Sequence, residues 1–111
     1  MKKKLILAGT VLMGAGLALV GCGDSSKTSD GKTRIEMVQY KPEAVKAFEK
    51  MEEKFNETHD DIELTIESPN EAMTILKTRF IKEDQPDIIG IGGDVNYSNF
   101  LDSEMLMDIS D

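Results

Sequence analysis

The residues able to do chemistry are few and widely spaced. Among 111 residues there is one Cys, Cys22, and one His, His59. A single Cys excludes an intrachain disulfide and a Cys-rich zinc site. His59 falls at a predicted helix end, where a cation suits the helix dipole, and a lone His beside Asp60 and Asp61 is a poor metal site. No nucleophile has a partner base, which argues against an enzyme. Gly90-Ile91-Gly92-Gly93 lacks the G-x-G-x-x-G order and any following Lys-Ser or Lys-Thr, so phosphate cradling is a weak reading. What remains is hydrogen-bonding chemistry. Asp94 follows the Gly92-Gly93 pair, which lets the backbone turn closely, and its carboxylate can accept two hydroxyl hydrogen bonds of the kind a neutral sugar offers. Tyr40 and Tyr97 can add flat apolar faces, and Asn70 and Gly93 stand beside them as candidate contacts. Each has a second reading. Asp94 can cap a helix beginning near Val95, Asn70 suits a helix start, and Tyr97 and Phe100 suit packing. Capping and ligand contact can coexist at Asp94.

Ligands of open parallel sheets lie outside the carboxyl ends of the strands, so these residues need strands ending just before them. Residues 33–40 read as a strand, with Ile35, Met37 and Gln39 on one face and Val38 and Tyr40 on the other. Pro42 opens a predicted helix over residues 42–59, in which Val45, Phe48, Met51 and Phe55 form one apolar stripe. Like and unlike charge pairs on its other faces nearly cancel, so this helix must depend on packing. Ile62–Glu67 alternates as a strand does. Ser68-Pro69-Asn70-Glu71 then reads as a helix start, with Ser68 as cap and Glu71 at the capping-box position. That helix is expected to run to about Lys82 with Ala72, Met73, Leu76 and Phe80 inward. Residues 87–91 suit a short strand covered on both faces, residues 96–102 a short helix, and residues 105–109 a final extended or turn segment. Met37, Met51 and Met73 fall on apolar faces as core filler.

Strand alternating with helix implies an α/β fold with right-handed crossovers and a parallel sheet. Segments 40–43, 68–70 and 92–96 then meet at one rim. A parallel βαβαβ start is about half of a doubly wound domain, so the expected architecture is a partial lobe truncated before a second one.

The first segment reads as an address. Lys2, Lys3 and Lys4 precede an uncharged run over residues 5–20, shorter than the roughly 20 residues of a bilayer-spanning helix. Gly9, Gly14 and Gly16 weaken a permanent helix there. The run stops at Leu19-Val20-Gly21-Cys22, which resembles the lipobox of bacterial lipoproteins. That resemblance implies that Cys22 receives a diacylglycerol and becomes the new N-terminus after cleavage. Two acyl chains supply the double anchor that stable attachment requires. Residues 23–32 hold no large apolar side chain and read as a flexible tether. The expected organisation is a signal peptide over residues 1–21, a lipidated Cys and tether over 22–32, and an incomplete lobe over 33–111. Removing three lysines from a formal charge of −8 leaves −11 on the other 90 residues. So acidic a body is a poor candidate for nucleic acid and would be repelled by an anionic bilayer. Membrane contact is therefore expected through the lipid, with the body facing outside, an arrangement that suits a single-membrane bacterium.

The lipobox, the polar tether, Phe55 closing the first helix, the strand before Pro69 and Pro86-Asp87-Ile88-Ile89 together resemble the extracellular solute-binding proteins of ABC importers. The similar group is family 1, which includes maltose- and multiple-sugar-binding proteins. Gly92-Gly93-Asp94 and then residues 105–111, Met-Leu-Met-Asp-Ile-Ser-Asp, resemble that family's site loop and following segment. The resemblance covers residues 35–111. It implies a longer two-lobed fold of the type II periplasmic-binding class, closing on a carbohydrate, with ABC permease subunits as partners and no cofactor. It also implies that Asp94 corresponds to a sugar-contacting carboxylate. With the second lobe and hinge absent, the segment is expected to bind solute weakly or not at all. The other expectation is a truncated surface lipoprotein without transport activity.

Overall fold

The computed structural model describes residues 26–110. The expected signal segment, Cys22 and the first tether residues lie outside them. Three strands form the sheet: β1 (Thr33–Gln39), β2 (Ile62–Glu67) and β3 (Ile88–Gly90). Their order is β2-β1-β3 and both pairings are parallel, with Ile35 beside Leu64 and Val38 beside Ile89. The helices are α1 (Val45–Thr58), α2 (Ala72–Ile81) and α3 (Val95–Asp102), with a 3-10 turn at Pro42–Ala44. The chain is thus α/β with a three-stranded parallel sheet. Right-handed crossovers to opposite sides of β1 place α1 and α2 on opposite faces. No helix among the described residues is long and apolar enough to cross a membrane.

The core lies on one face. Val38 from β1, Ala72 and Leu76 from α2 and Phe100 from α3 are buried, with Tyr40, Met73, Phe80, Ile89 and Ile91 packed against them. Period-2 alternation delivers Val38, Tyr40, Ile89 and Ile91 to this face together. The other face carries Ile35, Met37, Leu64 and Ile66, all only half-buried.

Helix α1 departs from the expected stripe. None of its residues is buried and Met51 is exposed, so Met51 is not core filler. The helix instead covers the outer edge of β2 with polar side chains. Asn56 donates to the Leu64 carbonyl and accepts from its N–H, both at 2.8 Å, and Glu52 Oε2 accepts from Ile66 N–H at 2.6 Å. These bonds occupy the groups that an edge strand leaves open.

The start of α2 also differs from the reading of residues 68–71. Ser68 does not cap it. The N-cap is Glu71, with no side-chain bond, and the helix begins at Ala72. Ser68 Oγ is instead taken by Gln39, at 2.6 Å. Pro42 opens only the 3-10 turn, and residues 105–109 form no regular element. Helices α2 and α3 end alike, each with a Glu in the left-handed region, Glu83 at φ 55 and Glu104 at φ 54. Glu83 N–H bonds Phe80 O and Asp84 N–H bonds Arg79 O; Glu104 and Met105 repeat the pattern on Leu101 and Phe100. Both are Schellman endings with Glu where Gly is usual, and the second returns Met105 to the core.

The pairing of Glu36 and Arg79 was not foreseen from the local charge pattern. Arg79 donates from both terminal nitrogens to the two Glu36 oxygens, at 2.6 and 2.7 Å, and from Nε to Asp84 O at 2.6 Å. Asp87 Oδ2 accepts from Glu36 N–H at 2.8 Å. The end of α2 and the start of β3 are thereby tied to β1. The Arg79 bonds hold the Glu36 carboxyl below its ordinary 4.5, against the opposing effect of partial burial. A carboxyl with a lowered folded value contributes stability that is present above the unfolded value and lost as pH falls through the folded one. Glu36→Gln is therefore expected to reduce the urea midpoint at neutral pH, and the gap to the unsubstituted chain should close as pH falls below 4.5. A gap that stays constant down to pH ~3 would show that the pair is not the titrating contribution.

Residues 26–32, read from the sequence as part of a tether, form a turn against β1. Thr28 N–H bonds Lys32 O, Gly31 adopts φ 86, and Arg34 N–H bonds Ser26 O.

Candidate functional site at the carboxyl rim of the sheet

Strands β1 and β3 end side by side, and Tyr40 N–H bonds Gly90 O at 3.1 Å. This register makes Tyr40 the first residue beyond β1 and carries Gly92 to the same level. A Cβ on Gly92 would lie 3.2 Å from the Tyr40 hydroxyl oxygen and 3.5 Å from Asp94 Oδ2. Tyr40, Gly92 and Asp94 therefore form one cluster. Neither Gly92 nor Gly93 has a positive φ, so Gly92 is required for space beside Tyr40 rather than for an unusual backbone conformation. Gly93 is exposed and a side chain there would meet nothing within 4 Å, which leaves the approach to Asp94 clear.

Asp94 has both roles open to it. Its Oδ1 accepts from Asn96 N–H at 2.8 Å, making it the N-cap of α3, which starts one residue earlier than the sequence suggests. Its Oδ2 is the oxygen turned towards Gly92, in the exposed part of the rim. One carboxylate thus orders the helix and presents an acceptor beside a phenol. Together these groups can accept and donate hydrogen bonds to a polyhydroxylated neutral ligand.

Tyr40 is half-buried against the core, and Lys41 Nζ lies 5.6 Å from its ring centroid. Asn70 is exposed in the β2–α2 connection and makes no hydrogen bond among the described residues. It shares the rim but is not drawn into the Tyr40–Asp94 cluster. The packing reading of Phe100 holds, at 1% exposure, whereas Tyr97 is 46% exposed and lies on the open side of α3. Phe100 lies beside Phe80, with ring centroids 5.5 Å apart, in the cluster that holds Leu76, whereas Tyr97 three residues earlier is left half in solvent.

Sequence reasoning missed Gln39 as part of the rim. It is 2% exposed, the buried polar side chain among the described residues. Its Nε2 donates to Lys41 O at 2.8 Å and to Ser68 Oγ, and its Oε1 accepts from Lys41 N–H at 2.7 Å. One amide thereby ties the loop carrying Tyr40 to the loop carrying Asn70. Gly90 provides the room, since a Cβ there would lie 2.9 Å from Gln39 Cβ. A polar residue on an otherwise apolar strand face, beside the strand end, was the available signal.

Two shallow depressions lie away from the rim. One, of about 340 Å³, is lined by Arg34, Glu36, Glu63 and Thr65, and one of about 330 Å³ by Lys77, Ile81 and Phe100 among others. The rim cluster is an open surface by comparison, and its claim rests on converging polar groups rather than on enclosure. Among the described residues no three His, Cys, Asp or Glu side chains gather to hold a metal ion. No protein-family profile, curated protein or solved structure matches this chain.

Proposed function

We propose that this chain is the capture component of an ABC importer, a lipid-anchored extracellular protein that binds a carbohydrate, an oligosaccharide by preference, and delivers it to membrane permease subunits without chemistry. The observation that carries the reading is the Tyr40–Gly92–Asp94 cluster at the carboxyl rim of a parallel sheet, where ligands of such sheets bind. Two further features support it. The lipobox-like run ending at Cys22 matches a protein held at the outer face of a membrane, and the acidic body makes anionic polymers poor candidates as cargo. The architecture this reading implies is one lobe of a type II solute-binding fold, with which an α/β chain carrying a parallel sheet is compatible.

The rim residues 40, 92 and 94 contact a ligand from one side only, so the affinity they supply by themselves is expected in the millimolar range, about −4 kcal/mol. Titrating maltotriose into the 15N-labelled chain should shift the amides of Tyr40, Gly92, Gly93 and Asp94, and Asp94→Asn, which retains a capping oxygen, should weaken that response about tenfold. Shifts that spare the rim, or a response unchanged in Asp94→Asn, would remove the Tyr40–Gly92–Asp94 cluster as the carbohydrate contact.

A further inference from the structure

The end of the tether is built into the fold. From Ser26 onward the chain folds back on the first residues of β1, below the level at which β3 joins that strand at Met37. Lys27 pairs antiparallel with Thr33, Arg34 N–H bonds Ser26 O at 2.6 Å, and Thr28 N–H bonds Lys32 O at 2.9 Å. The Thr28 hydroxyl accepts from Lys32 N–H at 3.1 Å and donates to the Asp30 carboxylate. Gly31 takes φ 86 in the turn, a conformation that strains any β-branched residue.

Distances decide what this docking does. A chain spans at most about 3.6 Å per residue, so Cys22 lies within about 14 Å of Ser26 whatever path residues 23–25 take. The rim is farther off. At about 3.3 Å per residue of strand, Tyr40 lies about 20 Å from Arg34 along β1. Turning the rim to a bilayer would lift Ser26 by that distance and by the height of the rim loops, beyond the reach of an anchor at Cys22. A free chain from Cys22 to Thr33 would span up to about 38 Å and would permit the inversion. The bound uses residues 22–40 alone, so it holds whatever else the lobe carries.

We propose that the docked turn at residues 26–32 is an orientation clamp. With Cys22 in the membrane, it holds the amino end of the sheet next to the lipid surface and opens the Tyr40–Asp94 rim away from it. Capture is then from the medium, and turning the rim down to a membrane partner requires the turn to undock. The proposal rests on the lipid-anchor reading of Cys22 and is independent of the identity of the ligand.

The test uses the full lipidated chain in phosphatidylcholine vesicles that carry a nitroxide-headgroup lipid as a short-range quencher. Acylation occupies Cys22, so one introduced thiol takes the fluorophore, at Asp60→Cys by the amino end or at Asn70→Cys on the rim, both exposed positions. The two labels sit about 20 Å apart along β2, so quenching at residue 60 should exceed that at residue 70 at least about threefold. In the double variant Thr28→Pro, Gly31→Val, which removes the Thr28 N–H and strains the turn, the Arg34 amide should exchange freely and the difference in quenching should largely disappear. Equal quenching at the two positions with the turn intact would overturn the clamp. So would a difference that persists once the Arg34 amide exchanges freely. A chain that takes up no palmitate and stays off the vesicles would instead overturn the Cys22 reading, and the clamp with it.

Discussion

Phe100→Ala is expected to cost about 3–5 kcal/mol, against a total stability of about 5–15 kcal/mol for ordinary domains. Phe100 is 1% exposed and its ring lies 5.5 Å from that of Phe80, tilted by 49°. Among the described residues the buried apolar cluster holds only Val38, Ala72 and Leu76 beside it, so little core is at hand to absorb the loss. Phe100 also holds α3 to the sheet, and α3 carries Asp94 at its start. Truncation should therefore loosen the rim as well as lower the urea midpoint. Tyr97→Ala, on the open side of the same helix, is expected to change stability by no more than about 0.5 kcal/mol. Urea unfolding followed by circular dichroism compares the two directly. Equal losses would mean that α3 does not dock through Phe100, and the geometry at Asp94 would have to be explained otherwise.

Cys22→Ser should abolish lipid attachment. The thiol is the group that takes the diacylglycerol in the lipobox reading, and a Ser hydroxyl does not replace it. Each buried methylene of an acyl chain contributes about 0.8 kcal/mol, so two chains hold a protein at a membrane where one binds only marginally. With an acidic body, the folded part offers no compensating attraction to anionic lipid. In bacteria expressing the full chain, labelled palmitate should enter the unsubstituted protein, and its processed form should begin at a modified Cys22. The Cys22→Ser protein should show neither label nor that processed N-terminus. Undiminished labelling of the variant would sink the lipoprotein reading, and with it the expected location.

Much of the element order was legible because apolar period is a local property. Alternation over Ile62–Glu67 and over residues 33–39 specifies strands whatever lies beside them, and Leu76 and Phe80 lie one helical turn apart on one face. The α/β class and the parallel sheet follow from the order of those elements. The capping role of Asp94 was legible for a similar reason, since a cap needs only the residue before a helix, and its place beyond β3 needs only the strand end. Local chemistry misled at Ser68, where a good capping sequence lost its hydroxyl to Gln39 on another strand. Periodicity held only in part in α1, where Val45, Phe48 and Phe55 are half-buried but Met51 is exposed, while Asn56 and Glu52 hold the helix to the β2 edge.

Left to the tertiary structure were the partnerships between residues distant along the chain. Glu36 meets Arg79 across 43 positions and Gln39 meets Ser68 across 29, and no window of sequence contains both members of either pair. The role of Gly92 likewise depends on the Tyr40 ring arriving beside it from another strand. The choice between Tyr97 and Phe100 as the buried ring depended on which way α3 was rolled against Phe80 and Leu76. Periodicity and capping act within a few residues and can be read along the chain, whereas a buried amide, an ion pair or a close approach acquires its partner only when the sheet register is set.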